Sequence, residues 1–239
     1  VERQRIEAGL HLALARREQT RVHIVHMSTS AGVDLVRQAK GQGIDATAET
    51  CPHYLLLNRE DFVRLGSLAK CTPPLRDAYD NEVLWTGLLE GTIDYVTTDH
   101  AAGIYPREKV TDNIWNAYAG MPGVQLRVPL MLYEACTVRD MNLYRFGEIM
   151  STNPAKRLGL FPRKGILAVG SDADFVCIDL NAPMTVRAQD LYAKNKYTPF
   201  EGRELRGTVR QTFVRGDQVY DSSGKFPAGA GYGKLIKAV

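Results

Sequence analysis

Two short stretches carry the side chains best suited to chemistry. The first is His23-Ile24-Val25-His26-Met27-Ser28, a β-rich run with an imidazole near its end. The second is Thr97-Thr98-Asp99-His100, where a carboxylate closes another β-rich run ahead of Ala101-Ala102-Gly103. Reactive groups of α/β proteins gather at the C-terminal ends of parallel strands. An imidazole and a carboxylate at two such ends make half of a hard-metal site, in which the carboxylate could also move a proton. A hydrolytic zinc centre needs at least three protein ligands. Competing readings are a satisfied core histidine and an aspartate that caps the following loop. Side chains alternate faces along a strand, so His23 and His26 are expected to point oppositely. His26 lies closer to the strand end and is the better ligand, with His23 structural or facing a helix. His53, after Cys51-Pro52, is expected in a loop where it could hydrogen-bond a substrate, and Glu49 is expected to face the helix layer or a neighbouring loop. Cys71 is the remaining conspicuous group.

These groups need elements to hold them. Ile6, Leu10 and Leu14 at i, i+4 and i+8 predict a helix over roughly residues 2–18. A short strand over Val22–Met27 follows. Ser28-Thr29-Ser30 then caps a second helix whose inward residues are Val33, Val36 and Ala39, ended by Gly41 and Gly43. Ile44–Thr50 reads as a strand stopped by Pro52, Asn81–Leu89 as a helix ended by Gly91, and Thr92–Thr98 as a strand. This alternation predicts βα units and a parallel sheet, hence an α/β class. Residues 112–160 read as helix-rich, with Pro154 at a helix start and Gly159 at its end. Short β runs follow at Ala173–Leu180, Met184–Ala188, Thr208–Arg215 and Gln218–Asp221, the last two joined by a hairpin signal at Gly216-Asp217. The expected division is an α/β part over 1–162, a small β unit over 163–222 and an irregular tail over 223–239.

Composition excludes several function classes. The chain has 239 residues with 30 Lys+Arg against 27 Asp+Glu, a formal charge of +3, too small and too dispersed for a nucleic-acid footprint. The run Val124–Leu132 is broken by Gln125, Arg127 and Pro129, so no stretch approaches the roughly 20 apolar residues that span a bilayer. The four cysteines, Cys51, Cys71, Cys136 and Cys177, form no C-x-x-C pair and read as reduced thiols, pointing to a cytoplasmic location. No Gly-rich phosphate loop and no G-x-S-x-G elbow occur.

Several ordered motifs resemble one family. H-I-V-H-M-S at 23–28, A-E-T-C-P-H-Y-L at 48–55, K-C-T-P-P-L-R at 70–76 and T-D-H at 98–100 look like the cyclic amidohydrolases, the group of allantoinase, hydantoinase, dihydropyrimidinase and dihydroorotase. G-I-L-A-V-G-S-D-A-D-F-V at 165–176 resembles that family's entry to a small β-sandwich, and F-V-R-G-D-Q-V-Y at 213–220 its closing hairpin. The resemblance implies the C-terminal part of a (β/α)₈ TIM-type barrel followed by part of the sandwich. It implies a binuclear centre, usually Zn2+, in which His26 corresponds to the strand-six histidine and Asp99 to the strand-eight aspartate. There the aspartate takes a proton from the metal-bridging hydroxide and delivers it to the leaving amide nitrogen. His53, Thr72 and Gly120 correspond to substrate-contacting positions, and the partner is a small cyclic amide or ureide. Homodimers or homotetramers are usual in the family. His53 within C-P-H-Y-L leans toward allantoinase, since hydantoinases usually carry Gln there. Thr98 and the A-A-G loop depart from the usual S-D-H-[AS]-P. No H-x-H pair, strand-four lysine or strand-five histidine is matched, so the chain is expected to be a fragment that alone hydrolyses nothing. Hydantoinase or dihydropyrimidinase activity is the nearest alternative. A non-catalytic scaffolding relative is a further one, which retention of both His26 and Asp99 disfavours. A deaminase on the same barrel is disfavoured by the C-P-H-Y-L and P-P-L-R loops.

Overall fold

The computed structural model describes residues 2–238. The class is mixed α/β, and the chain divides into two compact units. The first runs to Arg127 and takes up Val186–Gly202 again; the second comprises Val128–Thr185 and the chain from Arg203 onward. Val186, Leu191, Tyr197 and Phe200 are buried, and Tyr197 Oη accepts the Gly103 N–H at 3.1 Å, which holds their segment to the first unit.

The first unit is built on three parallel strands in the order β1-β2-β3. They are β1 (Val22–Ile24), β2 (Ala46–Thr50) and β3 (Tyr95–Val96). Parallel neighbours need a crossover, and α2 (Ser30–Gly41) and α5 (Ala78–Glu90) supply it, with α3 (Pro52–Leu56) and α4 (Arg59–Leu65) after β2. Thr29 caps α2 by accepting the Gly32 N–H at 3.2 Å, and Gly91, left-handed at φ 88°, ends α5. One face of the sheet is apolar and buried: Ile24, Ala46, Ala48 and Val96. Val33 and Val36 of α2 and Leu84, Trp85 and Leu88 of α5 complete the core. The other face is polar, since β2 (A-T-A-E-T) alternates buried Ala46, Ala48 and Thr50 with half-buried Thr47 and Glu49.

Several sequence expectations shift here. Helix α1 (Glu2–Glu18) forms over the expected residues, yet Ile6, Leu10 and Leu14 are 59%, 56% and 37% exposed. Its buried face is Gln4, Ala8, Leu12 and Ala15, in which the two alanines let α1 lie close to α2. Strand β1 stops at Ile24, not Met27, because His26 turns into the left-handed region at φ 40°. Strand β3 is two residues long where seven were expected.

In the second unit, α6 (Arg127–Met131) leads into a π-helical turn over Leu132–Val138. Then come α7 (Leu143–Gly147), a second π-helical turn and α8 (Asn153–Arg157), with Pro154 in the first turn of α8. Most of residues 112–126, expected helical, form loop with one short turn at Ile114–Asn116. An antiparallel sheet follows in the order β4-β5-β6, comprising β4 (Phe175–Thr185), β5 (Glu204–Val214) and β6 (Asp217–Asp221). The expected runs at Ala173–Leu180 and Met184–Ala188 merge into one strand with an irregular register between Asp179 and Pro183. Val214 pairs with Asp217, so the hairpin turn is Arg215-Gly216, with φ values of 53° and 86°, one residue earlier than the sequence signal. Gly207 lies against Leu132, where a Cβ would come within 2.5 Å of Cδ2.

One polar contact ties three elements of the first unit. Lys40 of α2 reaches both carboxylate oxygens of Asp94 at 2.8 and 2.9 Å, and Asp94 also accepts the Ala48 N–H of β2 at 2.8 Å. Replacing Asp94 by Ala leaves a half-buried ammonium and a strand N–H without this acceptor. Urea unfolding of Asp94→Ala should show a loss of about 1.5–3 kcal/mol; a loss under 0.5 kcal/mol would remove this contact from the account of the fold.

Candidate functional site

The C-terminal ends of β1, β2 and β3 open onto one region of the first unit. His26 stands two residues beyond β1 and Asp99 three beyond β3, and both are left-handed, at φ 40° and 44°. Non-glycine residues in that region are uncommon and cluster at functional sites, where surrounding bonds hold them. His26 is half-buried, and its Nδ1 has no hydrogen-bond partner although water does not reach it. Asp99 is exposed. Its charge bears on Cys51, Tyr54 and Cys71, where it adds to the effect of burial in raising all three pKa values. Burial takes the Cys71 thiol to about 12.

His53 was expected in a loop but sits in the first turn of α3, only 5% exposed, with Nε2 unpartnered. Burial, and secondly the neighbouring His26, pushes its pKa down to about 3, so the ring is neutral. Thr72 is exposed, between the buried Cys71 and Pro73, whose carbonyl accepts the Tyr54 hydroxyl at 2.8 Å. Gly120 is constrained by packing: at φ 150° a Cβ would lie 2.3 Å from the Ala101 carbonyl oxygen. Its N–H donates to Lys70 O at 2.9 Å, and its carbonyl accepts from Lys109 Nζ at 3.0 Å.

Sequence reasoning misplaced Glu49, and of its two readings of His23 the structural one holds. His23 and Glu49 share the polar face of the sheet with Thr47, Tyr95 and Thr97. His23 Nδ1 meets the Thr47 hydroxyl at 2.8 Å, while Nε2 is shared between Glu49 Oε2 at 3.1 Å and the Tyr95 hydroxyl at 3.0 Å. The His23 and Tyr95 rings stack at 5.2 Å. Thr97 donates to Glu49 Oε1 at 2.7 Å. Burial pulls the Glu49 carboxyl upward in pKa, yet the bonds from His23 and Thr97 outweigh it and hold the group below the usual carboxylate range. Alternation along β1 stops at Ile24, so the facing of His26, two residues further on, does not follow from that of His23.

Two lysines missed by sequence reading organise the loop after Asp99. Lys109 is fully buried, with Nζ donating to the carbonyls of Lys70, Tyr118 and Gly120 at 3.4, 2.9 and 3.0 Å. Burial pushes its pKa down to about 8. Lys70 Nζ donates to the carbonyls of Ile114, Trp115 and Ala117 at 2.8, 3.4 and 2.6 Å. His100 anchors the other side of the loop, its Nδ1 accepting the N–H groups of Gly123 and Val124 at 3.1 and 3.3 Å. No local pattern marks a lysine that is neutralised by carbonyls instead of carboxylates.

Zinc takes imidazole nitrogen and carboxylate oxygen, and the unpartnered nitrogen of His26 and the exposed Asp99 carboxylate are of those donor types. The number is short: among the described residues no group of three or more His, Cys, Asp or Glu is gathered so as to hold a metal. Further ligands would have to come from outside these residues.

Three parallel strands with helical crossovers, and a histidine and an aspartate just beyond two of the strand ends, define an α/β protein with polar groups gathered where its strands finish. The sequence matches the Amidohydrolase family over residues 3–219, and the chain belongs to that family. An allantoinase from Bacillus licheniformis is 40% identical over 210 residues, covering 88% of this chain and 46% of that protein. An allantoinase from Escherichia coli O139:H28 is 39% identical over 216 residues, covering 90% of this chain and 47% of its own length. The crystal structure of dihydropyrimidinase from Brevibacillus agri superposes with a TM-score of 0.92 at 30% identity, over 97% of this chain and 51% of that one. The L-hydantoinase (dihydropyrimidinase) of Arthrobacter aurescens gives 0.90 at 34% identity, over 95% and 50%. The chain therefore spans about half the length of the curated relatives it matches.

Two measurements check this geometry. His53 binds fewer protons folded (pKa about 3) than unfolded (6.5), so its contribution to stability is present above pH 6.5 and is lost as pH falls toward 3. Between pH 7 and 5 the chain should lose roughly 2 kcal/mol more than His53→Gln does in urea unfolding; parallel pH profiles would mean the ring is not buried neutral. Lys109→Met strips a donor from three carbonyls, so amide exchange across residues 101–120 should quicken at least about tenfold while α2 keeps its rates. Unchanged exchange in the loop would show that Lys109 does not hold it.

Proposed function

We propose that this chain is a part of a cyclic amidohydrolase that contributes some of its metal- and substrate-binding residues, in a hydrolase that opens the C–N bond of a small cyclic amide or ureide. Allantoin is the favoured ring, with hydantoin or dihydropyrimidine next. The observation that carries the reading is the placement of His26 and Asp99 just beyond β1 and β3, both at positive φ and His26 with an unpartnered nitrogen. The identity of about 40% with allantoinases supports the ring preference, as does His53 within C-P-H-Y-L. On this reading β1, β2 and β3 are three successive strands of a (β/α)₈ barrel, and the antiparallel sheet is part of a small β-sandwich.

His26 and Asp99 would hold a divalent cation, Zn2+ being the ion of choice for this donor pair. When bound, such a cation lowers the pKa of water and polarises the ring carbonyl. Asp99 would accept the proton from water and pass it to the departing amide nitrogen, a task for which its exposed carboxylate is available. His53, kept neutral by burial, would face the ring with its open Nε2, while Thr72 and the Gly120 loop would line the ring amides. Closed packing around Cys51, Cys71 and Tyr54 would exclude water beneath the reacting bond. Four free thiols suit a cytoplasmic setting, and among the described residues no helix is long and apolar enough to cross a membrane. The family likeness also carries homo-oligomeric assembly.

Zinc titration followed by NMR tests the reading. The chain should bind Zn2+ weakly, with shifts centred on His26 and Asp99; His26→Ala and Asp99→Asn should each abolish them. With two ligands it should show no allantoin ring opening. Zinc shifts that survive both substitutions would sink the assignment, and turnover by the chain alone would overturn the two-ligand account.

A further inference from the structure

The end of β2 joins the two candidate ligand segments. The Glu49 carbonyl accepts the Met27 N–H at 2.8 Å, and the Thr50 hydroxyl donates to Met27 O at 2.7 Å, which fixes the residue after His26 from both sides. Toward β3, Thr50 O accepts the Thr97 N–H at 2.9 Å and the Glu49 carboxylate accepts the Thr97 hydroxyl at 2.7 Å, two residues before Asp99. The same carboxylate takes the His23 ring on β1 at 3.1 Å and feels the backbone N–H of His26. One side chain on the middle strand thus binds both outer strands close to the two residues with strained backbones.

We propose that Glu49 is a positioning residue, whose carboxylate couples the ends of β1 and β3 and so presents His26 and Asp99 at a fixed spacing. Glu49 touches neither substrate nor the reacting atoms in this account; it acts through Thr97, His23 and the His26 backbone. The inference rests on the metal-binding reading above only for its consequence. The coupling itself is a property of the metal-free chain. Alternation of β2 explains why the task falls to Glu49: Ala48 and Thr50 point into the buried face, leaving Thr47 and Glu49 on the polar one, and Thr47 is too short to span both neighbours. Residues that orient metal ligands in this way are worth about 10- to 100-fold in metal affinity.

The test is Glu49→Gln in the full chain, which keeps the volume but offers an N–H₂ where donors converge. In the metal-free protein, amide exchange at residues 25–27 and 97–100 should quicken at least about tenfold while α2 and α5 retain wild-type rates. Wild-type exchange at both strand ends overturns the proposal, whatever the metal does, and a uniform rise across α2 and α5 overturns it in favour of a general structural role. Zn2+ affinity, read from the His26 ring nitrogen shifts, should fall about 10- to 100-fold; affinity within twofold of wild type also overturns it. If the wild-type chain shows no zinc response at His26, the metal reading fails and the exchange result alone decides the positioning. Should Glu49→Gln not fold, Thr97→Val removes only the β3 side of the bridge. Faster exchange confined to residues 97–100 is then expected, and wild-type rates there overturn the proposal.

Discussion

Parallel strands can share a site only if their C-terminal ends stay in register, and in this protein the end of β2 enforces that register. Glu49 and Thr50 bond to the chain just past β1 and just past β3 through backbone and side-chain groups alike. The strands themselves are short, β3 having only two residues, so ladder bonds alone would leave their ends free to fray. Side-chain bonds extend the order past the ladder to the turns at His26 and Asp99. A backbone at positive φ costs energy at a non-glycine residue. It persists where neighbouring bonds leave no easier path.

A second layer of order comes from ammonium groups held by carbonyls, one of them, Lys109, fully buried. Lys109 and Lys70 each point an ammonium at three carbonyls, and together they stitch the loop after Asp99 to the Cys71 segment. This arrangement spends backbone acceptors that a loop would otherwise show to water, so the segment can lie against the core without helix or strand. It also explains why Gly120 is a glycine: the loop passes so close to Ala101 that no side chain fits. Loop and strand ends are thereby fixed by different chemistry, carbonyl-caged ammonium on one side and a shared carboxylate on the other.

The comparisons give these local facts a common meaning. Relatives that are allantoinases by sequence and hydantoinases or dihydropyrimidinases by structure share a fold across nearly all of this chain. This chain brings to that fold a histidine and an aspartate just past two strand ends and a neutral, buried histidine with an unpartnered nitrogen. Burial, not charge, sets the character of the site: it keeps His53 neutral and the thiols of Cys51 and Cys71 protonated.

The sequence by itself determined the α/β class, the positions of α1, α2 and α5, and His26 and Asp99 as the groups at strand ends, because periodicity, caps and turn residues are local signals. It also carried the family through its ordered motifs. Which face a residue takes was less legible. Ile6, Leu10 and Leu14 form a helical stripe, but so do Ala8, Leu12 and Ala15, and only packing against α2 chose the smaller set. Glu49 was misplaced because which face of β2 meets the helices is decided by packing, while His23 takes the structural role expected of it, on the face away from the helices. The left-handed turns, the burial of His53 and the carbonyl cages of two lysines likewise belong to tertiary structure. Each depends on groups brought together from separate segments, from 9 residues away for Lys109 and Tyr118 to 39 for Lys109 and Lys70, and such hydrogen bonds leave no pattern along the chain.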